Sequence, residues 1–380
     1  MTKILLLSVS AGAGHTRAAQ ALEAYARTQF EGLDVLHIDV MDYVPVSFRK
    51  IYVDTYLKLV EYAPMLWGAL YKRMASLSPE ALTQRLRRGM ERLNTRALGK
   101  VLKSFQPDAV ICTHFLPAEI LMHKIANAEW SRPVWLQITD FDLHGMWVMP
   151  HLSGYFASNP EVAFRLSENG IDQAHIHVTG IPIMPGFSRD FDKKACREAL
   201  GLDPHKTVLL LMGGGAGLGG MDEIAAGMLQ QDEDFQLIAL AGSNEEALAS
   251  LQTLAARYPG KLFPKGFTRE VEQLMGCADL IVTKPGGLTS SECLAMGLPM
   301  IVHAPIPGQE EHNADYLMEH GAALKAYDAL GLAYRVRQLM QSPQQLEIMK
   351  TCARSIAKPF AARDVLHTVL ASLPDNAETK

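Results

Sequence analysis

The chain has 380 residues, 48% of them hydrophobic and 20% charged, which suits two ordinary domains and excludes a disordered chain. A formal net charge of −5 argues against binding a polyanion by overall attraction, and five cysteines without CxxC spacing favour reduced thiols over disulfides or a zinc site. The N-terminal apolar run is short, and no run of about 18 apolar residues occurs, so we predict neither a signal peptide nor a transmembrane segment.

Apolar runs that lead into turns and helical patterns recur along the chain and predict buried strands. They are KILLLSV, DVLHIDV, AVICTH, PVWLQIT, GYFASN and, further on, TVLLLMGG, FQLIALAG, LFPKGF, LIVTKP and PMIVHAP. Because such runs alternate with helices, we expect an α/β protein with two doubly wound, Rossmann-like domains of roughly five parallel strands each. Prolines and glycines in GIPIMPGF place the boundary so that residues 1–185 form one domain and 186–355 the other. A helix within 356–380 is expected to pack back on the first domain.

Residues 43–105 interrupt the alternation with a mostly helical, basic insert. It contains twelve Lys or Arg residues and four Asp or Glu residues, interleaved with aromatic side chains. Such a composition favours contact with an anionic membrane surface, with Trp67, Arg85, Arg87 and Arg88 as candidate contacts. The alternatives are a charged helical excursion that packs on its own domain and a nucleic-acid patch. No binding-module signature supports the latter, so we expect no nucleic-acid partner.

The first strand ends in a glycine turn, Gly12-Ala13-Gly14, followed at once by His15. A dinucleotide fingerprint would need a third glycine where Arg17 stands, although Asp39 closes the second strand at a plausible distance for a ribose. A Walker loop would need GK[ST], which is absent. The remaining interpretation is that Gly14 lets a substrate approach closely and that the turn places His15 at a helix N-terminus. An imidazole there can take a proton from a hydroxyl group.

The second half contains LLLMGGGAGLGG, a loop with almost no side chains between its backbone amides and a ligand. Such a loop between a strand and a helix is typical of a diphosphate site, with Gly215, Gly217 and Gly219 as candidates, and the alternative is a merely flexible loop.

A second ligand-binding segment follows the strand LIVTKP. Glu292 could accept hydrogen bonds from both hydroxyls of a ribose, as acidic groups do in nucleotide sites. The segment GQEEHN follows the next strand, and its polar side chains suit a polyhydroxylated ligand. The candidates of both stretches are Gly286, Gly287, Thr289, Glu292, Gln309, Glu310 and Asn313.

Together, T-K-P-G-G-x-T-x-x-E and the following G-Q-E-x-x-N resemble the UDP-sugar site of GT-B glycosyltransferases. The sequence is most similar to monogalactosyldiacylglycerol synthases and processive diacylglycerol glucosyltransferases, and more distantly to MurG. The resemblance covers nearly the whole chain, although the opening turn reads GAGH where the lipid synthases usually have a GGGH-type run. It implies a GT-B fold, with the two parallel sheets facing a central cleft.

The resemblance also implies roles for individual residues. His15 would be the catalytic base, Glu292 would hold the ribose, and Gln309 and Glu310 the sugar hydroxyls, with Asn313 nearby. The glycine loop would hold the diphosphate, and Phe267 would lie near the uracil. His114 and Asp140, at strand ends of the first domain, are acceptor-side or base-orienting candidates.

The implied activity is an inverting transfer of a hexose from a UDP-sugar to the hydroxyl of diacylglycerol, which gives a β-glycolipid. We expect a peripheral protein on the cytoplasmic face of the cell membrane. The string Asp140-Phe141-Asp142 spells D-x-D, which elsewhere holds a metal, but the glycine loop already serves the diphosphate, so we expect neither a metal nor another cofactor. Three alternatives stay open: transfer to a polyprenol-linked acceptor, UDP-sugar epimerisation, and a binding module without turnover. The sequence leaves glucose, galactose and glucuronate equally open.

Overall fold

The protein is described by a computed structural model that covers residues 1–10, 12–45, 49, 65, 68, 96–213, 220–231 and 233–374. Contacts divide the chain into two compact units. The first contains Met1–Pro185, Pro307–Gln309 and Phe360–Lys380, and the second contains Gly186–Ile306 and Glu310–Pro359.

Two predicted features lie largely outside the described residues. The basic insert 43–105 is described only at its ends and at three isolated positions, and the glycine-rich loop of the second unit is not described. The candidates concerned are Trp67, Arg85, Arg87, Arg88, Gly215, Gly217 and Gly219.

The first unit is built on a six-stranded parallel sheet with the strand order β2-β1-β3-β4-β5-β6. Its strands are β1 (Thr2–Ser8), β2 (Leu33–Asp39), β3 (Ala109–Cys112), β4 (Val134–Gln137), β5 (Gly154–Ala157) and β6 (Ile176–Val178). Its first helices are α1 (Ala13–Gln29), α2 (Arg96–Phe105), α3 (Phe115–Ala126) and α4 (Pro160–Glu168). The five predicted strands are confirmed. β6 was not predicted, because its three residues lie at the sheet edge and are partly exposed, so they carry no apolar run.

The second unit also contains a six-stranded parallel sheet, in the order β12-β11-β10-β7-β8-β9. Its strands are β7 (Thr207–Met212), β8 (Phe235–Gly242), β9 (Leu262–Gly266), β10 (Leu280–Thr283), β11 (Met300–His303) and β12 (Ala323–Ala326). After α4, the remaining helices in chain order are α5 (Lys193–Ala199), α6 (Met221–Leu229), α7 (Glu245–Ala255), α8 (Val271–Cys277), α9 (Gly287–Met296), α10 (Gln309–Glu319), α11 (Ala329–Met340), α12 (Pro343–Ile356) and α13 (Ala361–Ala371). The unpredicted strand is β12, whose sequence ALKA is short and carries a lysine.

The last helix, α13, belongs to the first unit and packs on α1. Leu22 of α1 and Val365 and Leu366 of α13 are fully buried in one cluster that also contains Ile4 of β1. The helix therefore covers one face of the first sheet by burying apolar surface. Among the helices that the structure describes, none has the length and apolarity needed to cross a bilayer.

Strand order determines where each unit can bind a ligand. In a doubly wound sheet, ligands bind beyond the carboxyl ends of the strands, where the order reverses. In the first unit this point lies between β1 and β3, which pair directly. In the second unit it lies between β7 and β10, which also pair directly. The turns that follow these four strands are therefore the places to look for functional side chains.

Candidate active site

The turn after β1 presents His15 in the first turn of α1. Gly12 precedes the helix with a φ of 103°, a conformation that L side chains rarely adopt. A Cβ added at Gly14 would meet no described atom within 4 Å, so packing against the described residues does not require this glycine.

The imidazole of His15 is held through its Nδ1 atom. This nitrogen lies 3.0 Å from the carbonyl oxygen of Thr113 and 2.9 Å from Oγ1 of Thr139. A carbonyl oxygen can only accept a hydrogen bond, so Nδ1 carries the proton of the neutral ring. Nε2 of His15 is then unprotonated and able to accept a proton from a substrate.

Strand β3 contributes to this arrangement at two points. The hydroxyl of Thr113, directly after β3, donates to the backbone carbonyl of His15 at 2.8 Å. The backbone amide of Thr113 donates to the carbonyl of Leu7 in β1 at 3.0 Å. The end of β3 therefore fixes both the backbone and the ring of His15.

His114 lies beside His15, with ring centroids 4.5 Å apart in an edge-to-face arrangement. It precedes α3, and its Nδ1 accepts a hydrogen bond from the amide of Leu116 at 3.0 Å, so its proton resides on Nε2. The indole of Trp147 lies 6.1 Å from the His15 ring and 6.2 Å from that of His114. The two imidazoles and the indole form one aromatic cluster at the carboxyl edge of the sheet.

Burial keeps both histidines neutral. It lowers the pKa of His15 to about 4, an effect that the Thr113 carbonyl partly offsets. Burial, followed by repulsion from His15, holds the pKa of His114 well below its usual value. At neutral pH the Nε2 atom of His15 is therefore available as a base.

The two acids of the D-x-D string have different partners. Both carboxylate oxygens of Asp140 accept from Nε2 of Gln309, at 2.9 and 3.0 Å, within the first unit. Asp142 lies 3.4 Å from the guanidinium of Arg165. Across the part of the chain that is described, no group of three or more acidic, histidine or cysteine side chains is arranged to hold a metal.

Asp39, which a dinucleotide site would use for a ribose, serves the backbone instead. Its Oδ1 accepts from the amides of Ser10 and Met41, at 3.3 and 2.9 Å. These bonds fix the turn that follows β2.

In the second unit, the turn after β10 lies against the start of α10. Gly286 precedes α9, which begins without a side-chain cap. A Cβ on Gly286 would lie 3.7 Å from Oε1 of Glu310, while Oε2 of Glu310 accepts from the amide of Ile306 at 2.7 Å. The structure thus brings together the Gly286-Gly287 turn and Glu310, which are separated in sequence.

The other candidates of this unit differ in exposure. Glu292 and Asn313 are buried within α9 and α10, with 6% and 0% of their surface exposed, and both have interaction partners. Thr289 is half-buried in the first turn of α9. Phe267, which follows β9, is 71% exposed and could therefore contact a ligand without rearranging the core.

Sequence reasoning missed Thr113, Thr139 and Trp147. Each threonine directly precedes a residue that was selected, His114 or Asp140, and follows the end of a strand. Their position after the end of a strand was the sequence signal that could have indicated these two threonines. The group of Thr113 that contacts the His15 ring is its backbone carbonyl, which every residue possesses, so the residue type could not reveal that contact.

Two doubly wound parallel sheets, one in each unit, with ligand-binding candidates at both switch points, define the GT-B architecture, and the predicted fold class is confirmed. Comparison with known proteins then indicates which families the chain resembles. Residues 15–183 match the family model described as monogalactosyldiacylglycerol (MGDG) synthase, and residues 220–356 match that of glycosyl transferases group 1.

Similar proteins span nearly the whole chain. The processive diacylglycerol beta-glucosyltransferase of Bacillus pumilus is 29% identical over 371 residues, covering 97% of this chain and 94% of that protein. The chloroplastic monogalactosyldiacylglycerol synthase of Spinacia oleracea is 28% identical, covering 96% of this chain and 71% of that protein. The crystal structure of Acinetobacter baumannii MurG superposes with a TM-score of 0.62 at 16% identity, covering 98% and 100% of the two chains. The chain resembles the family of monogalactosyldiacylglycerol synthases and processive diacylglycerol glucosyltransferases.

Proposed function

We propose that the protein is an inverting hexosyltransferase that moves a sugar from a UDP-sugar to the hydroxyl of diacylglycerol. The observation that carries the proposal is the 3.0 Å contact between Nδ1 of His15 and the Thr113 carbonyl, which assigns the ring proton to Nδ1, in a chain that resembles diacylglycerol glycosyltransferases. A neutral imidazole with a bare Nε2 is the group that activation of an alcohol requires.

The reaction is a single displacement. Nε2 of His15 takes the proton of the lipid hydroxyl while the lipid oxygen forms a bond to C1 of the sugar. The bond between C1 and the diphosphate oxygen breaks, and UDP leaves with the electron pair. One displacement inverts the anomeric centre, so an α-linked donor gives a β-glycoside.

The donor is assigned to the second unit. Gly215, Gly217 and Gly219 would present backbone amides to the diphosphate. Glu292 would accept from the ribose hydroxyls, and Glu310, beside the Gly286 turn, from the sugar. Amides that stabilise the departing diphosphate perform the task that a metal performs in other transferases, so the proposal includes no metal cofactor.

The acceptor is assigned to the first unit, together with attachment to the membrane. Twelve cationic residues against four acidic ones between residues 43 and 105 favour attraction to anionic lipid, which supports the proposal of a peripheral protein on the cytoplasmic face of the membrane. Replacing Arg85, Arg87 and Arg88 by Gln should weaken binding to anionic vesicles and leave binding to zwitterionic vesicles unchanged. Equal binding of the variant and the parent to anionic vesicles would refute this assignment.

The activity is tested by analysis of products. The full chain is incubated with diacylglycerol in mixed micelles and, separately, with UDP-glucose, UDP-galactose or UDP-glucuronate. We expect a glycosyl-diacylglycerol by mass spectrometry, with a β-anomeric proton coupling by NMR. An epimerised nucleotide sugar, or no glycolipid from any of the three donors, would overturn the proposal.

A further inference from the structure

Thr139 lies beyond the end of β4 and has a buried hydroxyl directed at the base. It is 6% exposed, and its Oγ1 lies 2.9 Å from Nδ1 of His15. This residue is separated from His15 by 124 positions in sequence. Strands β1, β3 and β4 are neighbours in the sheet, so their carboxyl ends bring the two side chains together.

Two oxygens share one proton at Nδ1. With the proton on Nδ1, both Thr113 O and Thr139 Oγ1 accept from it. With the proton on Nε2, the bare Nδ1 would face the Thr113 carbonyl at 3.0 Å, an unfavourable contact between two acceptors. Thr139 would then have to donate to Nδ1, and the ring could no longer accept a proton from a substrate.

We infer that Thr139 is a positioning residue: as an uncharged second acceptor for Nδ1–H, it fixes the orientation of the His15 ring, in the tautomer that the Thr113 carbonyl imposes, so that Nε2 can take the proton of the acceptor alcohol. This inference rests on the proposed function. Both partners of Nδ1 are neutral oxygens, whereas the carboxylate of the adjacent Asp140 accepts from Gln309. A carboxylate on Nδ1 would also stabilise the charged ring, and two neutral acceptors orient the imidazole without that effect.

Three variants separate this role from a structural one. Thr139→Val removes the acceptor and nearly preserves the shape, whereas Thr139→Ser retains the hydroxyl. Thr179→Val is the matched control. Thr179 is a buried threonine beyond the end of β6 in the same sheet, and its hydroxyl donates to the carbonyl of Gly180 at 3.3 Å.

We expect Thr139→Val to lower kcat about tenfold, the effect of one lost hydrogen bond, with an unchanged KM for the UDP-sugar. Thr139→Ser should restore kcat to within about twofold of the parent, since the acceptor returns. Thr179→Val should match the parent. An unchanged kcat in Thr139→Val, or a loss in Thr139→Ser as large as that in Thr139→Val, would overturn the inference.

The tautomer of His15 can be measured by NMR without any substrate. In the full chain with ¹⁵N-labelled histidine, the His15 signals, assigned by their absence in His15→Ala, should show a protonated Nδ1 and a bare Nε2. Thr139→Val should keep this tautomer, because the Thr113 carbonyl still accepts from Nδ1–H. A protonated Nε2 in the parent protein would refute the inference even if Thr139→Val failed to fold. If the protein formed no glycolipid from any UDP-sugar, the proposed function would fail, while this spectrum would still test the tautomer.

Discussion

The protonation state of His15 leads to a prediction about activity at low pH. Burial lowers the pKa of this imidazole to about 4, whereas an ordinary histidine titrates near 6.5. The unprotonated ring is the active form, so activity that depends on it should persist until the pH approaches the lowered pKa. Among the described residues, His114 is the titratable side chain whose ring contacts His15, and its pKa is also lowered, so it adds no charge in this range.

The magnitude follows from the two pKa values. At pH 5, a group with a pKa of about 4 is roughly 90% unprotonated, whereas one with a pKa of 6.5 is only about 3% unprotonated. We therefore expect kcat/KM at pH 5 to retain about nine-tenths of its value at pH 7.5. The assay is the initial rate of glycolipid formation in micelles of zwitterionic detergent, which keeps the charge of the lipid surface constant.

Folding must be monitored in the same experiment. The unfolded chain binds protons at His15 and His114 from about pH 6.5 downwards, whereas the folded chain does not, so stability declines as the pH falls from about 6.5 towards 4. Circular dichroism at each pH shows whether the protein is still folded. A loss of activity with a midpoint near pH 6.5, in protein that remains folded, would refute the assignment of a neutral base with a lowered pKa.

Two substitutions test other parts of the structure. Glu292→Ala should weaken UDP binding in calorimetry by roughly ten- to a hundredfold, since a charged hydrogen-bond acceptor is lost, and an unchanged affinity in folded protein would exclude the ribose role. Gly154→Ala should destabilise the first unit by about 1–3 kcal/mol in urea unfolding, because the new Cβ would overlap two ring atoms of the buried Trp135. Gly99→Ala in α2 is its control, since a Cβ there meets no described atom within 4 Å and stability should not fall; equal unfolding midpoints for the two variants would contradict the packing argument.

Sequence patterns predicted the sheets because strands buried on both faces must be continuously apolar. The fully buried residues Leu5, Val110 and Leu209 all lie in such runs. β6 and β12 were not predicted because they are short edge strands with partly exposed residues such as Val178 and Lys325, so they carry no continuous apolar run.

The candidate site could be predicted only in part. A glycine turn between strand and helix is visible in sequence, so the placement of His15 followed from local pattern. The partners of its ring did not, because Thr113 and Thr139 are 98 and 124 residues away, and the register of three strands brings them together. The hydrogen bond between Gln309 and Asp140 spans 169 residues and likewise depends on tertiary structure.

The most direct measurement compares turnover and UDP affinity in His15→Ala. If the imidazole is the base, kcat should fall by roughly 10²- to 10⁴-fold, the usual contribution of such a group, while the Kd for UDP stays within about twofold of the parent. Retained turnover, or a loss of UDP binding as large as the loss of kcat, would contradict the assignment of His15 as the base that activates the acceptor.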